Sequence, residues 1–210
     1  KASSAFGRDA KMYDSSFGWR FINNKMKELY GVDGMGVTAE NLAEMYNISR
    51  EDQDLFAYNS QMKASNAQLN GRLKEEIVSV EIPQRKKESI IFNEDEFIKS
   101  NTTLEILSTL RTVFKKQGSV TAGNASGLND GAAAMLLSSE KGIKENNLNP
   151  IAKIVSSAVV GVEPRIMGIG PVEASNKALK KAGLTLDDID IIELNEAFAA
   201  QSLACIRKLG

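Results

Sequence analysis

The run DIDIIELNEAFAAQ, from Asp188 to Gln201, sets an apolar segment directly against an Ala-rich one, with the polar pair Asn195-Glu196 at the junction. No other stretch constrains the fold as strongly. Asp190 to Leu194 has the length and apolar content of a short buried strand. From Glu196 to Leu209 the apolar positions Ala199, Leu203, Ile206 and Leu209 recur at steps of three or four, the helical period. A strand that runs straight into a helix is the unit of a layered α/β core. Asn195 then lies at the carboxyl end of a strand, where open α/β sheets bind their ligands. Two readings of Asn195 stand: a ligand-facing group, or an ordinary helix cap, a position that Asn favours.

Upstream, the helices have readable starts. Thr38 is placed to cap Ala39 to Tyr46. Ser49, with Asp52 and Gln53 three and four residues on, forms a capping-box-like start for a helix running toward Asn70 and ended by Gly71. Val78, Val80 and Ile82 alternate with polar residues ahead of Pro83, the pattern of an edge strand. The Arg85-Lys86-Lys87 run that follows reads as a solvated turn. Thr103 to Leu110 is a short helix, and Arg111 to Gly118 a polar connection. From Asn129 the texture changes. Ala132 to Leu137 is dense and apolar, Ser139 caps a helix broken by Pro150, and Ile151 to Val162 reads as a long strand. Pro171 opens a helix to Ala182, with Gly183 as its stop. This predicts an α/β fold: the second half, β-α-β-α, implies a layered α/β core, and the first half, to about residue 128, is an excursion inserted before that core.

Composition bounds the function. Of 210 residues, 42% are hydrophobic and 25% charged, which suits a globular chain. The formal net charge is −1, so no global basic field is available to hold nucleic acid or an anionic membrane. No apolar run approaches the roughly 20 residues needed to span a bilayer. Cys205 is the one cysteine and cannot form an internal disulfide, which points to a reducing cytoplasm. There is no histidine, so these residues hold no His-based metal site or general base, and no metal site is expected. The chain opens at Lys1 without Met and stops at Gly210 just after a helix, and is read as an internal piece of an incomplete fold.

Val120 to Ala134, VTAGNASGLNDGAAA, sets Gly123, Gly127 and Gly131 among small residues. Either a ligand approaches this backbone closely, with Ser126 and Asn124 supplying hydrogen bonds, or the loop packs tightly against other backbone. It is not a P-loop, because the Lys-Ser/Thr ending is missing.

Taken together, NEAFAAQ, VTAGNASGLNDGAAA, RIMGIGPVEAS (Arg165 to Ser175) and TAENLAEMYNISREDQDLFA (Thr38 to Ala57) resemble the ordered motifs of thiolases, over essentially the whole chain. The resemblance implies a thiolase-like layered αβα core carrying an inserted α+β loop domain, 1–128, that binds coenzyme A, with 129–150 as the end of the N-terminal core and 151–210 as the start of the C-terminal core. It implies acyl-coenzyme A thioesters as substrates, no permanently bound cofactor, and a homo-oligomer, dimer or tetramer. By the same resemblance Ser126, Ala122 and Phe114 line the pantetheine arm, and Met167 and Met35 lie near the acyl group. Ala197 and Phe198 border the same cavity. Lys99 stands where the best-known biosynthetic enzymes have an Arg near the nucleotide, and gives up that residue's planar fork. Gly34 stands where they have a His, which suggests a different acyl pocket. Asn195 would hold a water that donates to the thioester oxygen as charge develops, an oxyanion-hole role.

Thiolases work by ping-pong Claisen chemistry through a nucleophilic Cys, a His and a second Cys, and the resemblance puts all three outside Lys1 to Gly210. Cys205 lies in a different motif and reads as a structural helix residue. Glu196 is a weaker candidate, since a carboxylate there can serve the helix N-terminus. This chain alone is therefore expected to be inactive. Tyr13 to Met35 resembles the 3-oxoadipyl-coenzyme A enzymes of aromatic-acid degradation more than acetoacetyl-coenzyme A ones, with Arg20 or Lys25 open as partners for a distal carboxylate and a surface or interface role equally open for Trp19 and Arg20. The alternatives are an acetoacetyl-coenzyme A enzyme, a non-catalytic acyl-coenzyme A-binding or assembly protein, and a condensing enzyme that uses a carrier protein.

Overall fold

The computed structural model describes residues 4–10, 12 and 18–210, so the Tyr13 to Phe17 part of the stretch read for acyl preference lies outside the described residues. In chain order the helices are α1 (Asn24–Tyr30), α2 (Met35–Met45), α3 (Arg50–Leu69), α4 (Leu104–Ser108), α5 (Glu140–Glu145), α6 (Gly170–Ala182) and α7 (Ala199–Leu209). Between α3 and α4 a two-stranded antiparallel hairpin pairs β1 (Val80–Ile82) with β2 (Ile90–Phe92), with Glu81 opposite Ile91.

Several helix ends follow the local chemistry of the sequence. Ser49 Oγ accepts from the Asp52 amide at 3.0 Å and starts α3, Thr103 Oγ1 accepts from Ile106, and Ser139 Oγ accepts from Gly142. Gly183 ends α6 in the left-handed region, φ 72°, which only glycine adopts without strain. Thr38 is different. The helix starts three residues before the expected cap, at Met35 with Gly34 as N-cap, and Thr38 Oγ1 turns back to donate to the Met35 carbonyl at 2.7 Å.

The core gathers Ala39, Leu42 and Ala43 of α2, Ile48, Val120, and Ala200 and Ala204 of α7. Small residues on α2 and α7 let the two helices approach closely, and the 3-10 turn Pro164–Ile169 packs against both. Buried Glu40 on α2 forms no ion pair among the described residues; it accepts from the Ser119 and Val120 amides at 2.9–3.0 Å. That carboxylate fastens the loop before the Gly-rich run to the core. α3 adds a second clamp. Asp54, 4% exposed, accepts from Arg50 Nε at 2.7 Å and from Asn124 Nδ2 at 2.9 Å, and Arg50 also reaches the Leu107 and Leu110 carbonyls.

The expected strands of the second half do not form a ladder. Residues 151–162 and 190–194 run without a β-partner among the described residues, and Ala132 to Leu137 lies exposed and without regular structure. A strand needs hydrogen bonds from a neighbour, whereas a helix closes its own. The first of these segments is tied to α6 through side chains of both: its own Ser156 Oγ donates to the Ala178 carbonyl, and Lys177 and Lys181 of α6 donate to the Val159 and Ser157 carbonyls. Among the described residues no helix is long and apolar enough to cross a membrane.

Candidate active-site cleft

The Gly-rich run and the NEAFAAQ motif, about 70 residues apart in sequence, meet through backbone. Ala125 and Phe198 form an antiparallel bridge, the Ser126 amide donates to the Ala197 carbonyl at 2.9 Å, and the Ala199 amide donates to the Asn124 carbonyl at 2.9 Å. The Gly-rich loop and the Asn195-Glu196 junction thus form one edge of a cleft of about 970 Å³. The opposite wall is a strip of α3, in which Phe56, Ala57, Ser60, Gln61 and Ala64 share a face at helical spacing. Ile82 and Phe92 of the hairpin, with Phe97 and Ile98 after it, complete the enclosure.

The loop does both things its composition allowed. Gly123 sits where a Cβ would run into Leu107 and Leu110 at 2.5 Å, and a Cβ on Gly127 would enter the Phe97 ring, so both glycines permit close packing. Asn124 is 3% exposed and fully engaged: its Oδ1 accepts from the Thr121 amide, and its Nδ2 donates to Asp54 and to the Ser119 carbonyl. It shapes the loop, and both of its amide donors are already bonded to protein acceptors. Ser126 is exposed on the cleft, and its hydroxyl reaches only the Gly127 carbonyl at 3.2 Å.

Asn195 is not a helix cap. α7 starts at Ala199 with Phe198 in the N-cap position, three residues later than the apolar periodicity suggested. The carboxamide of Asn195 has no hydrogen-bond partner among the described residues and lines the cleft. Glu196 likewise does not serve the helix N-terminus; it accepts from the Ser60 hydroxyl of α3.

The other residues singled out by sequence lie around this edge. The Lys99 amide donates to Gln61 Oε1 at 2.7 Å, and its ammonium stands 5.7 Å from the centre of the Phe97 ring, at the cleft rim. Phe114 and Phe198 meet edge to face at 6.0 Å, and Phe114 covers Gly36. Ala197 is held by its carbonyl to Ser126, and Ala122 is exposed one residue before Gly123. Met35 and Met167 are exposed on α2 and on the 3-10 turn packed against it, away from the cleft itself. A side chain at Gly34 would meet nothing within 4 Å, so neither space nor backbone angle demands glycine there. Arg20 and Lys25 are both exposed, and the Arg20 guanidinium donates to the Gly18 carbonyl.

Sequence reasoning passed over Ser60, Gln61 and Phe97. The α3 face that carries the first two is polar even where buried, as Gln53, Asp54 and Ser65 show, so no apolar periodicity marked it. Cys205 is fully buried; its thiol donates to the Gly168 carbonyl at 3.2 Å, and burial pushes its pKa up. That is the setting of an inert thiol.

A carboxamide left unpartnered at the end of an extended segment, set beside a small-residue loop on one cleft, is the kind of concave, polar-edged site at which α/β proteins bind ligands. Two family models match: the thiolase N-terminal domain over residues 5–141 and the thiolase C-terminal domain over 148–210. The chain belongs to the thiolase family. The beta-ketoadipyl-CoA thiolase of Acinetobacter baylyi is 56% identical over 210 residues, all of this chain and 52% of that protein. The 3-oxoadipyl-CoA/3-oxo-5,6-dehydrosuberyl-CoA thiolase of Escherichia coli (strain K12) is 51% identical over the same span, again 52% of its length. The crystal structure of the Bacillus anthracis acetyl-CoA acetyltransferase superposes with a TM-score of 0.85 at 42% identity, covering 98% of this chain and 51% of that one. The chain thus spans about half the length of the relatives it matches, and its fold is the α/β thiolase fold over that span.

Proposed function

We propose that the protein containing this chain is a thiolase that cleaves 3-oxoadipyl-coenzyme A with coenzyme A to succinyl-coenzyme A and acetyl-coenzyme A, or runs the reverse condensation. The observation that carries the reading is the backbone join of residues 124–126 to 197–199, which sets Ser126 and Asn195 on one cleft. The acyl preference rests on the names and 51–56% identity of the relatives above.

The cleft lining suits the neutral part of coenzyme A. It includes Asp95, Glu96, Asp130 and Glu196 and no Lys or Arg, so a phosphate would be repelled from its interior. The amide-bearing pantetheine arm carries no charge and can take the Ser126 hydroxyl as partner, with Ala122 and Phe114 alongside. The phosphates would stay at the rim near Lys99. At the reacting end Asn195 holds a water whose proton points at the thioester oxygen, so that negative charge is met as it forms. Met35, Met167, Ala197 and Phe198, which do not line the cleft itself, would border the acyl group where it extends past the cleft, with open space at Gly34.

The nucleophile and proton carriers are supplied from outside these 210 residues, because Cys205 is buried with its thiol proton retained. The full-length protein is a cytoplasmic homo-oligomer, dimer or tetramer, in this reading. Coenzyme A-dependent thiolysis of 3-oxoadipyl- and acetoacetyl-coenzyme A, run on the full-length protein beside this chain, tests it. Preference for the first substrate with a silent 210-residue chain is expected. Turnover by the 210-residue chain would overturn the assignment of the chemistry to outside groups.

A further inference from the structure

Glu196 poses an electrostatic problem that the rest of the site does not solve. It is adjacent to Asn195 and lines the same cleft. If the thiolase reading above holds, negative charge collects on the oxygen that Asn195 addresses, and a carboxylate one residue away opposes that charge in a poorly screened cleft. Among the described residues no Lys or Arg pairs with Glu196, and it does not cap α7, whose N-cap is Phe198. Its partner is the Ser60 hydroxyl, on the far wall of the cleft.

We propose that Ser60 is a positioning residue, which draws the Glu196 carboxylate against α3 and away from the oxygen that Asn195 serves. Three ties hold the residues that follow Asn195: one between side chains, Ser60 to Glu196, and two through backbone, the Ser126 amide to the Ala197 carbonyl and the Ala199 amide to the Asn124 carbonyl. The segment before Asn195 offers none, since 190–194 has no ladder. Only the first tie also controls a charge. Without the hydroxyl the carboxylate swings on its free rotors and can turn into the cleft.

The test uses the full-length protein, with kcat and the KM for coenzyme A measured separately. Ser60→Ala should lower kcat about tenfold, less than the hundredfold or more that follows loss of an oxyanion donor itself, with KM nearly unchanged. Ser60→Thr keeps the hydroxyl and should keep turnover. Ser60→Ala combined with Glu196→Gln should turn over faster than Ser60→Ala alone, because the charge that Ser60 restrains is gone. A purely structural role for Ser60 gives no such recovery. Wild-type kcat in Ser60→Ala, Thr as slow as Ala, or a double variant no faster than Ser60→Ala would each overturn the proposal. No thiolysis by the unaltered full-length protein would instead overturn the thiolase reading, and this inference with it.

Discussion

The block formed by α2, α3, α7 and residues 118–125 holds most of the buried side chains, while the segments 129–138, 151–162 and 189–196 leave theirs largely open. In the first, Leu42, Val120, Ala200 and Ala204 are fully buried. In the second, Met135 is 86% exposed, Ile151 101% and Val159 84%. Both regions are rich in apolar residues, so hydrophobicity does not separate them. What separates them is where the backbone finds its hydrogen bonds. A helix satisfies itself and then needs only a face to pack on, whereas a strand stays open until another strand lies beside it. The candidate site sits on the boundary: Asn195 ends an extended segment, and Ala197 to Ala199 are already docked on the helical block.

Amide exchange should show the largest contrast. Protection in α3 and α7 should exceed that at 151–159 and 190–194 by roughly a thousandfold or more, since the latter amides have no ladder to open. Equal protection in this chain would break the comparison. Removal of a buried acceptor comes next. Glu40→Ala leaves the Ser119 and Val120 amides without a partner and should lower unfolding stability by about 3 kcal/mol, read by urea titration. Glu193→Ala, on the exposed segment, should change it by no more than about 0.5 kcal/mol.

A smaller effect is expected at the cleft. Ser126→Ala in the full-length protein should raise the KM for coenzyme A roughly fivefold, the worth of one modest hydrogen bond, and leave Tm unchanged. An unchanged KM would remove Ser126 from the ligand's partners. The smallest concerns pH. The Arg165 guanidinium hydrogen-bonds the Asp33 carboxylate at 2.9 Å and holds its pKa below the ordinary range, with Asn41 assisting. A folded pKa below the unfolded one means stability present above about pH 4 and lost as the pH falls through the folded value. Arg165→Met should flatten that part of the stability curve, by little, because the pair is partly exposed. A slope that persists unaltered would assign it to other carboxylates, such as Asp52 beside Arg207.

Much of this was legible because the relevant physics is local. The starts at Ser49, Thr103 and Ser139 and the stop at Gly183 depend on a side chain and an amide two or three residues apart, and they stand where the sequence placed them. Thr38 shows the limit. Its hydroxyl suits a cap, but packing of Ala39, Leu42 and Ala43 on α7 extends the helix back to Met35 and puts Thr38 inside it. Glu196 shows another. Its proximity to a helix start suggested a service to amides, and its actual partner, Ser60, lies 136 residues away.

By itself the sequence determined the helix ends, the motifs that mark a thiolase, and the absence of any His or second Cys within these residues. Those follow from residue identity and from interactions a few residues long. Only the tertiary structure decided that Asn124 is consumed by Asp54 while Ser126 is left open, that Asn195 is free of any cap, and that Phe97 closes over Gly127. Each depends on which atoms a distant segment brings within hydrogen-bond or van der Waals reach, and Asn or Ser carries the same donors whether that partner arrives or not.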